Sequence, residues 1–267
     1  MTVSSHVYAN SAMDSVIQVD VTGREVAAYA YPFGDGPNQD SAAVFVLSQS
    51  HCVLAVADGM GGGIAGDKAS ALAVNTLDDQ LRQASGTELP LRSVILNSFE
   101  VAHEQIRQQY TGAATTLIVA EIQNRTARLY HVGDSAALVI GGRGKLKLQT
   151  AAHSPVGYAL KAGMLDEHDA LSHDDRHYVS NMLGLSDLSI EVGYPFALAP
   201  RDTLLLATDG LFDNLWLDEV SSLAIRGSVL EAVERIQRLA TTRMNEPGTT
   251  NNQPSKPDDL AILAHRF

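Results

Sequence analysis

Five aspartates stand at the ends of predicted strands, where their side chains could bind a cation together. Asp40 precedes an apolar strand, and Asp258 opens another near the end of the chain. Asp58, Asp134 and Asp209 each follow an apolar run, in LAVADG, LYHVGDS and LLLATDG. Any one of them alone is ordinarily a turn former or a helix N-cap. Aligned strands, however, bring their ends to a common edge, where uncompensated carboxylates repel one another, so we expect bound cations there.

The donor atoms indicate the kind of ion and the chemistry. Hard divalent cations such as Mg²⁺ and Mn²⁺ prefer oxygen ligands and keep several waters. Gly59, directly after Asp58, can offer a carbonyl oxygen that no side chain obstructs. Two such ions about 3.5 to 4 Å apart lower the pKa of a shared water and stabilise an in-line displacement at phosphorus. The pattern therefore indicates metal-assisted hydrolysis of a phosphate ester.

The elements that must position these residues are strands and helices in an uneven mixture. Apolar and β-branched runs predict strands at 25–31, 41–47, 51–57, 114–122, 127–133, 136–140, 203–208 and 260–265. Short polar interruptions within 43–57 and 117–132 predict antiparallel hairpins. Apolar spacings of three and four predict helices from Ala69 to Leu81 and from Leu91 to Ile106, and a capping box predicts a third after Ser228. The sequence predicts mainly antiparallel sheets.

Composition limits the classes of function. The chain has 267 residues and is 45% hydrophobic, enough for one large domain. Its formal charge of -12 opposes nucleic acid and anionic membranes as partners. Cys52 is the single cysteine, and neither a signal peptide nor an apolar stretch of roughly 18 residues is present. We expect a cytoplasmic protein and a monomer. No coiled-coil heptads appear, and the sequence itself contains no signal for an oligomeric state.

Six segments in order resemble the motifs of the metal-dependent (PPM, type 2C) serine/threonine protein phosphatases. They are NQDS at 38–41, VADGMGG at 56–62, GAATTLIVAEI at 112–122, HVGDSAALVI at 131–140, ATDGLFDNL at 207–215 and PDDLAIL at 257–263. The resemblance covers one domain, residues 25–267, and leaves 1–24 as an N-terminal extension. It implies an α+β fold, a four-layer α-β-β-α sandwich of two mainly antiparallel sheets flanked by helices. It also implies hydrolysis of phosphoserine and phosphothreonine in proteins by a metal-activated water.

The resemblance further implies a role for each matching residue. Asp58 matches the acid that bridges two Mn²⁺ or Mg²⁺ ions, and Gly59 matches the glycine whose carbonyl binds one of them. Asp209 and Asp258 match the other metal ligands. Asp40 resembles the acid that orients metal-bound water, so Asp40, Asp58 and Asp209 are the expected catalytic residues.

Three further positions have alternative interpretations. Asp134 resembles the ligand of a third, weaker metal, with a turn acid as the alternative. Thr115 and Thr116 are expected to pack within a strand rather than take part in chemistry. Asp213 either supports the site or caps the short helix after it.

Three departures from the family pattern bear on activity. Asp35 stands where the family has an arginine that grips the substrate phosphate, so either another cation, such as Lys68 or Lys161, reaches the phosphate or the metals hold it alone. Gln39 replaces a frequent glutamate, which removes one charge near the metals. Met60 stands where animal members have a histidine proposed as general acid. The missing arginine supports an alternative function, a catalytically weak or inactive member that binds a phosphoprotein as a regulator.

The segment at about 155–184 resembles the flap beside the family's active site. This region and the residues before it contain four histidines, at 153, 168, 173 and 177. A zinc site is one interpretation, but these spacings match no common structural-zinc pattern. A solvated loop is the simpler expectation. The sequence identifies no substrate-binding residue.

Overall fold

The structure, a computed structural model, describes residues 3–21, 23–60, 65–246 and 253–267. Fourteen strands occur in the described part of the chain. They are β1 (Ser4–Ala9), β2 (Ile17–Val21), β3 (Arg24–Tyr31), β4 (Asp40–Val46), β5 (His51–Met60), β6 (Ala114–Thr115), β7 (Leu117–Gln123), β8 (Thr126–Val132), β9 (Ala136–Ile140), β10 (Leu146–Gln149), β11 (Glu191–Val192), β12 (Phe196–Ala197), β13 (Thr203–Ala207) and β14 (Leu260–Arg266).

Seven helices and one 3₁₀ turn accompany these strands in the described ranges. The helices are α1 (Gly66–Ala84), α2 (Leu91–Gln109), α3 (Pro155–Lys161), α4 (Glu167–Ser172), α5 (Asp209–Phe212), α6 (Leu217–Ala224) and α7 (Val229–Asn245), and the 3₁₀ turn is Asp174–His177. None of them is long and apolar enough to cross a membrane.

The strands form two antiparallel sheets. The first has the order β1-β4-β5-β7-β8-β11, with β6 beside β5 and β12 beside β8. The second has the order β10-β9-β13-β14-β3-β2. Both predicted hairpins are confirmed, since β4 pairs with β5 and β7 with β8. The short polar segments between the apolar runs form the turns of these hairpins. A connection of a few residues is enough to join two antiparallel strands.

Alternating residues of each strand face two different layers. In β5, Leu54 and Val56 pack against the second sheet, where they meet residues such as Leu206 and Leu263. The intervening Val53 and its neighbours face α1 and α2 on the outer side of the first sheet. Helices α6 and α7 cover the outer face of the second sheet in the same way. The period-two alternation of strands therefore produces the predicted four-layer sandwich.

The helix predictions agree with the structure in position. Helix α1 begins three residues before Ala69 and extends three beyond Leu81, and α2 extends to Gln109. At the start of α7, Glu231 N–H donates to Ser228 Oγ and Ser228 N–H donates to the Glu231 carboxylate, which is the predicted capping box.

Strands β1 and β2 lie in the predicted N-terminal extension, and they pair with β4 and β3 respectively. The boundary at residue 24 stays a prediction. The glycines at 61–63, which belong to the second motif, lie outside the described residues, as does the segment 247–252.

Candidate active site

The two sheets bring the predicted acids to a common edge. Asp40 begins β4 and lies directly opposite Asp58 of β5 in the antiparallel register. Asp209 begins α5, two residues after β13, and Asp258 lies two residues before β14. Because β13 and β14 are antiparallel neighbours, the end of one and the start of the other lie at the same edge. Each sheet thus contributes two of these acids.

Asp134 lies in the link between the two sheets, since β8 belongs to the first and β9 to the second. Burial raises the pKa of Asp134 to about 7, and the charge of Asp209 adds to the effect. Asp134 and Asp209 line the same cleft, so Asp134 is a neighbour of that acid. Its role as a metal ligand stays a prediction.

The acids of the two sheets repel one another across the edge. Burial raises the pKa of Asp58 well above its usual value, and the charges of Asp40 and Asp209 raise it further. Burial likewise raises the pKa of Asp40, while a hydrogen bond from Thr208 opposes this shift. Burial and the Asp209 charge also raise the pKa of Asp258, to about 6. Carboxylates crowded in this way favour a bound cation.

Backbone hydrogen bonds hold Asp58 in place. Thr116 N–H and the Thr115 hydroxyl donate to the Asp58 carbonyl at 2.9 and 2.8 Å. Asp58 N–H donates to Thr116 Oγ1 at 2.9 Å. Both threonines are buried. The sequence predicts strand packing for both threonines, and their positioning role has no signal of its own because strand propensity explains a threonine pair equally well.

Thr208 and Asp259 are two further positioning residues that the sequence analysis missed. Thr208 Oγ1 donates to Asp40 Oδ2 at 2.6 Å and accepts the Ala261 N–H at 3.0 Å. The Asp259 carboxylate accepts the N–H groups of Phe33 and Gln39, each at 2.7 Å. The second aspartate of the PDD motif therefore holds the loop that leads into Asp40.

Gly59 is required by close packing. A Cβ at this position would lie 2.1 Å from the Gly66 carbonyl oxygen, where α1 begins. The Gly59 N–H donates to the Gln39 carbonyl at 3.0 Å. Whether its own carbonyl binds a metal stays a prediction.

A lysine that the sequence analysis did not consider lies among the acids. Lys256 Nζ lies 2.8 Å from Asp209, 2.9 Å from Asp213 and 2.7 Å from Asp258. Although burial lowers the pKa of Lys256, the nearby acids, Asp209 foremost, raise it above its usual value. Asp213 is therefore part of this cluster.

The donor set suits a hard divalent ion, because it consists of oxygen atoms from several carboxylates. Among the described residues, no three of these carboxylates bring oxygen atoms within 4.8 Å of one another. An ion at this edge would be held partly through water, as Mg²⁺ commonly is, or would draw the carboxylates closer on binding. That Asp58, Asp209 and Asp258 share two ions stays a prediction.

In the described part of the chain, His131, His153 and Glu191 form one group of three potential metal ligands. Their ligand atoms all lie within 4.8 Å of one another. The imidazoles stack with centroids 4.5 Å apart and planes inclined by 29°, so their lone pairs do not converge. Gly133 N–H donates to His153 Nδ1 at 3.2 Å, which leaves the ring proton on Nε2, 3.5 Å from Glu191. This is a hydrogen-bonded cluster, and we assign no metal to it.

The other histidines of the predicted zinc interpretation have local partners. His168 stacks on Trp216 with ring centroids 5.8 Å apart. His173 Nδ1 accepts the Asp175 N–H at 3.1 Å. Over the described ranges, His168, His173 and His177 belong to no group of three close ligands, so the structure gives zinc no support.

A cleft of about 310 Å³ lies between the flap and the acidic edge. It is lined by Asp134 and Asp209 on one side and by Lys161 and Arg176 of the flap on the other. Burial raises the pKa of Asp213, and the charge of Arg176 opposes this shift. The sequence analysis suggested Lys161 as a phosphate-binding cation but did not consider Arg176.

The three departures from the family pattern lie on or near the loop before β4 and the end of β5. Asp35 is exposed, and Lys68 is exposed on α1. Gln39 lies next to Asp40 and accepts the Gly59 N–H through its carbonyl. Met60 is 43% exposed at the end of β5. None of these positions contributes a described side-chain contact to the acid cluster.

Comparison with known proteins agrees with this geometry. Residues 34–246 match the family model described as protein phosphatase 2C. The serine/threonine phosphatase stp of Listeria monocytogenes is 32% identical over 183 residues, which cover 65% of this chain and 72% of that protein.

Two solved structures have the same fold. The serine/threonine phosphatase of S. agalactiae superposes with a TM-score of 0.75 at 23% identity, covering 99% of this chain and 100% of that one. The catalytic domain of the phosphatase PstP, solved in complex with two manganese ions, gives a TM-score of 0.68 at 22% identity, covering 90% and 96%. The predicted sandwich is confirmed.

The fold and the acidic edge define a metal-dependent phosphoprotein phosphatase. The family match covers most of the chain, and the chain belongs to the protein phosphatase 2C family. The resemblance predicted from the six motifs is therefore confirmed.

Proposed function

We propose that this phosphatase hydrolyses phosphoserine and phosphothreonine esters in proteins at the edge where the two sheets meet. One observation carries the proposal: acids from both sheets lie close enough to raise each other's pKa values. A site of this charge needs cations, and with them it can bind a phosphate ester that it would otherwise repel.

We assign Asp58, Asp209, Asp258 and the Gly59 carbonyl to two Mn²⁺ or Mg²⁺ ions, and Asp134 to the water molecules around these ions. All of these ligands are oxygens, which supports a hard ion. Such ions activate water and neutralise charge on the phosphoryl oxygens.

We assign Asp40 the orientation of the attacking water. The Thr208 hydroxyl donates to Asp40 Oδ2, so this oxygen is held in one direction. The other carboxylate oxygen is then available to accept a hydrogen bond from water.

We assign phosphate and peptide binding to the cleft under the flap. Lys161 and Arg176 line this cleft opposite the acids, and Lys161 is 60% exposed in its side chain. An arginine or lysine there can replace the family arginine that is absent at Asp35. The comparisons give no support to the alternative of an inactive, phosphoprotein-binding regulator.

We further propose that the enzyme acts as a cytoplasmic monomer, without nucleic-acid or membrane partners. The formal charge of -12 opposes nucleic-acid and anionic-membrane partners, and the single buried cysteine fits a reducing compartment.

The test is hydrolysis of a panel of phosphoserine, phosphothreonine and phosphotyrosine peptides with and without Mn²⁺. We expect Mn²⁺-dependent turnover of the first two and a loss of about 10³-fold in kcat in Asp209→Asn, because that carboxylate is assigned to the metals. Asp79→Asn is the matched control, since Asp79 is exposed on α1. Turnover that persists after chelation, or that survives in Asp209→Asn, contradicts the proposal.

A further inference from the structure

Lys256 is built into the acidic edge rather than resting on its surface. Its ammonium nitrogen lies 2.7–2.9 Å from a carboxylate oxygen of each of Asp209, Asp213 and Asp258. These acids come from two separate segments, the α5 region and the residues just before β14. The lysine therefore joins segments that the site needs close together.

The backbone of Lys256 is anchored on both sides by one buried amide. Asn214 is fully buried. Its Oδ1 accepts the Lys256 N–H at 2.8 Å, and its Nδ2 donates to the Lys256 carbonyl at 2.8 Å. Arg243 in turn donates to the Asn214 carbonyl at 2.7 Å. This arrangement directs the lysine side chain at the acids.

The geometry points to a specific role, which rests on the function proposed above. We propose that the Lys256 ammonium is a resident cation of the active site, holding the position between Asp209, Asp213 and Asp258 that a third divalent ion would otherwise take. The site then binds two ions and not three.

The distances from the lysine nitrogen to the three carboxylate oxygens fit an ammonium group. Charge-assisted N–H···O bonds are about 2.7–2.9 Å long, whereas Mg²⁺ requires oxygens at about 2.0–2.1 Å. The three distances from Lys256 Nζ to the carboxylate oxygens are 2.7–2.9 Å, which are the lengths of charge-assisted hydrogen bonds. A divalent ion could bind there only after the ammonium left and the carboxylates closed in.

The charge count agrees with this role. Seven carboxylates approach the edge, namely Asp40, Asp58, Asp134, Asp209, Asp213, Asp258 and Asp259. Asp259 already accepts two backbone N–H groups. Two divalent ions and one ammonium supply five positive charges against the six negative charges of the other acids. The site is thus nearly balanced without a third metal.

The experiment counts Mn²⁺ bound to the full-length chain, stripped with chelator and titrated with MnCl₂, by native mass spectrometry and calorimetry. We expect about two ions in the wild type and about three in Lys256→Gln, because the variant vacates an oxygen-lined position. Lys256→Arg should keep about two. In the metal-free state, Lys256→Gln should also have a lower Tm, since three acids lose their shared partner.

Lys147→Gln is the matched control, because Lys147 makes 2.7 Å contacts with Asp202 away from this site. It should lose stability but still bind about two ions. Three ions in the wild type, or an unchanged count in a folded Lys256→Gln, overturns the inference. A wild-type count of three is decisive against it even if the variant does not fold. If no Mn²⁺ binds to the wild type, the proposed metal centre itself fails.

Discussion

The Thr208 hydroxyl joins the two sheets at the level of single atoms. It donates to Asp40 of the first sheet and accepts an N–H from β14 of the second. Thr208 is fully buried, so water cannot replace either bond when the hydroxyl is removed.

Thr208→Val is expected to lower the free energy of unfolding by about 1–3 kcal/mol, because Asp40 and the Ala261 N–H lose their partner. Its Mn²⁺ affinity should fall roughly tenfold or more, since Asp40 is no longer held beside the other acids. Denaturant unfolding and calorimetry measure the two effects. Thr76→Val is the control: Thr76 is also buried, but its hydroxyl bonds to Gln105 between helices. Equal losses of Mn²⁺ affinity in both variants would contradict the role of Thr208.

At the same scale, the sequence identifies acids better than it identifies their partners. Asp58 and Asp209 are recognisable because each ends an apolar run, and such a pattern depends only on neighbouring residues. Lys256 has no such signal. It lies in a polar, proline-containing segment, and one of its partners, Asp209, is 47 positions earlier in the chain. Only the folded contacts show that this lysine belongs to the site.

At the scale of elements, α5 and β14 must approach closely so that Asp209 and Asp258 lie together. Gly210 permits this approach, since a Cβ on it would lie 1.9 Å from the Asp259 carbonyl oxygen. The neighbour is backbone and cannot rotate aside. The contact therefore sets the distance between two segments that carry proposed ligands.

Gly210→Ala is expected to destabilise the protein by about 1–3 kcal/mol or more, because the added methyl group separates α5 from β14. Phosphatase activity should fall at least about tenfold even under conditions where the variant is folded, since the acids move apart. Gly36→Ala is the control, because a Cβ on Gly36 meets nothing within 4 Å. A folded Gly210→Ala with wild-type kcat and KM would show that this packing does not position the site.

The sequence predicts elements well where apolar periodicity is strong and poorly where it is weak. The hairpins β4–β5 and β7–β8 follow from long apolar runs with short polar interruptions. Strand β1, SSHVYA, is mostly half-buried, and β10, LKLQ, alternates half-buried with exposed residues. Their short or polar sequences resemble loops, and pairing with a neighbouring strand decides their structure.

At the scale of the whole molecule, burial makes the second sheet sensitive to acid. His265 of β14 is buried, and its Nδ1 lies 3.1 Å from the Glu25 carbonyl. Burial lowers the pKa of His265 to about 4. In the unfolded chain the ordinary value is about 6.5. The unfolded state therefore binds this proton more tightly than the folded state does.

We expect the contribution of His265 to stability to be complete above about pH 6.5 and to be lost as pH falls toward about 4, a change of about 3 kcal/mol. His265→Gln removes this part of the pH dependence. Subtracting the two unfolding curves cancels the active-site acids, whose raised pKa values act in the opposite direction. A difference in unfolding free energy that does not change between pH 7 and pH 4 contradicts this prediction.

The division of the acids between two sheets has a consequence for inactivation. Asp40 and Asp58 move with one layer of the sandwich, and Asp209 and Asp258 move with the other. A slip of about 1 Å between the layers misaligns the reacting groups and can cost about 10²-fold in rate, while every strand keeps its hydrogen bonds. Heating should therefore abolish turnover before it abolishes secondary structure. Cations that ligate both pairs resist that slip, and Mn²⁺ should protect the enzyme's activity against heat more than it protects its helices and strands.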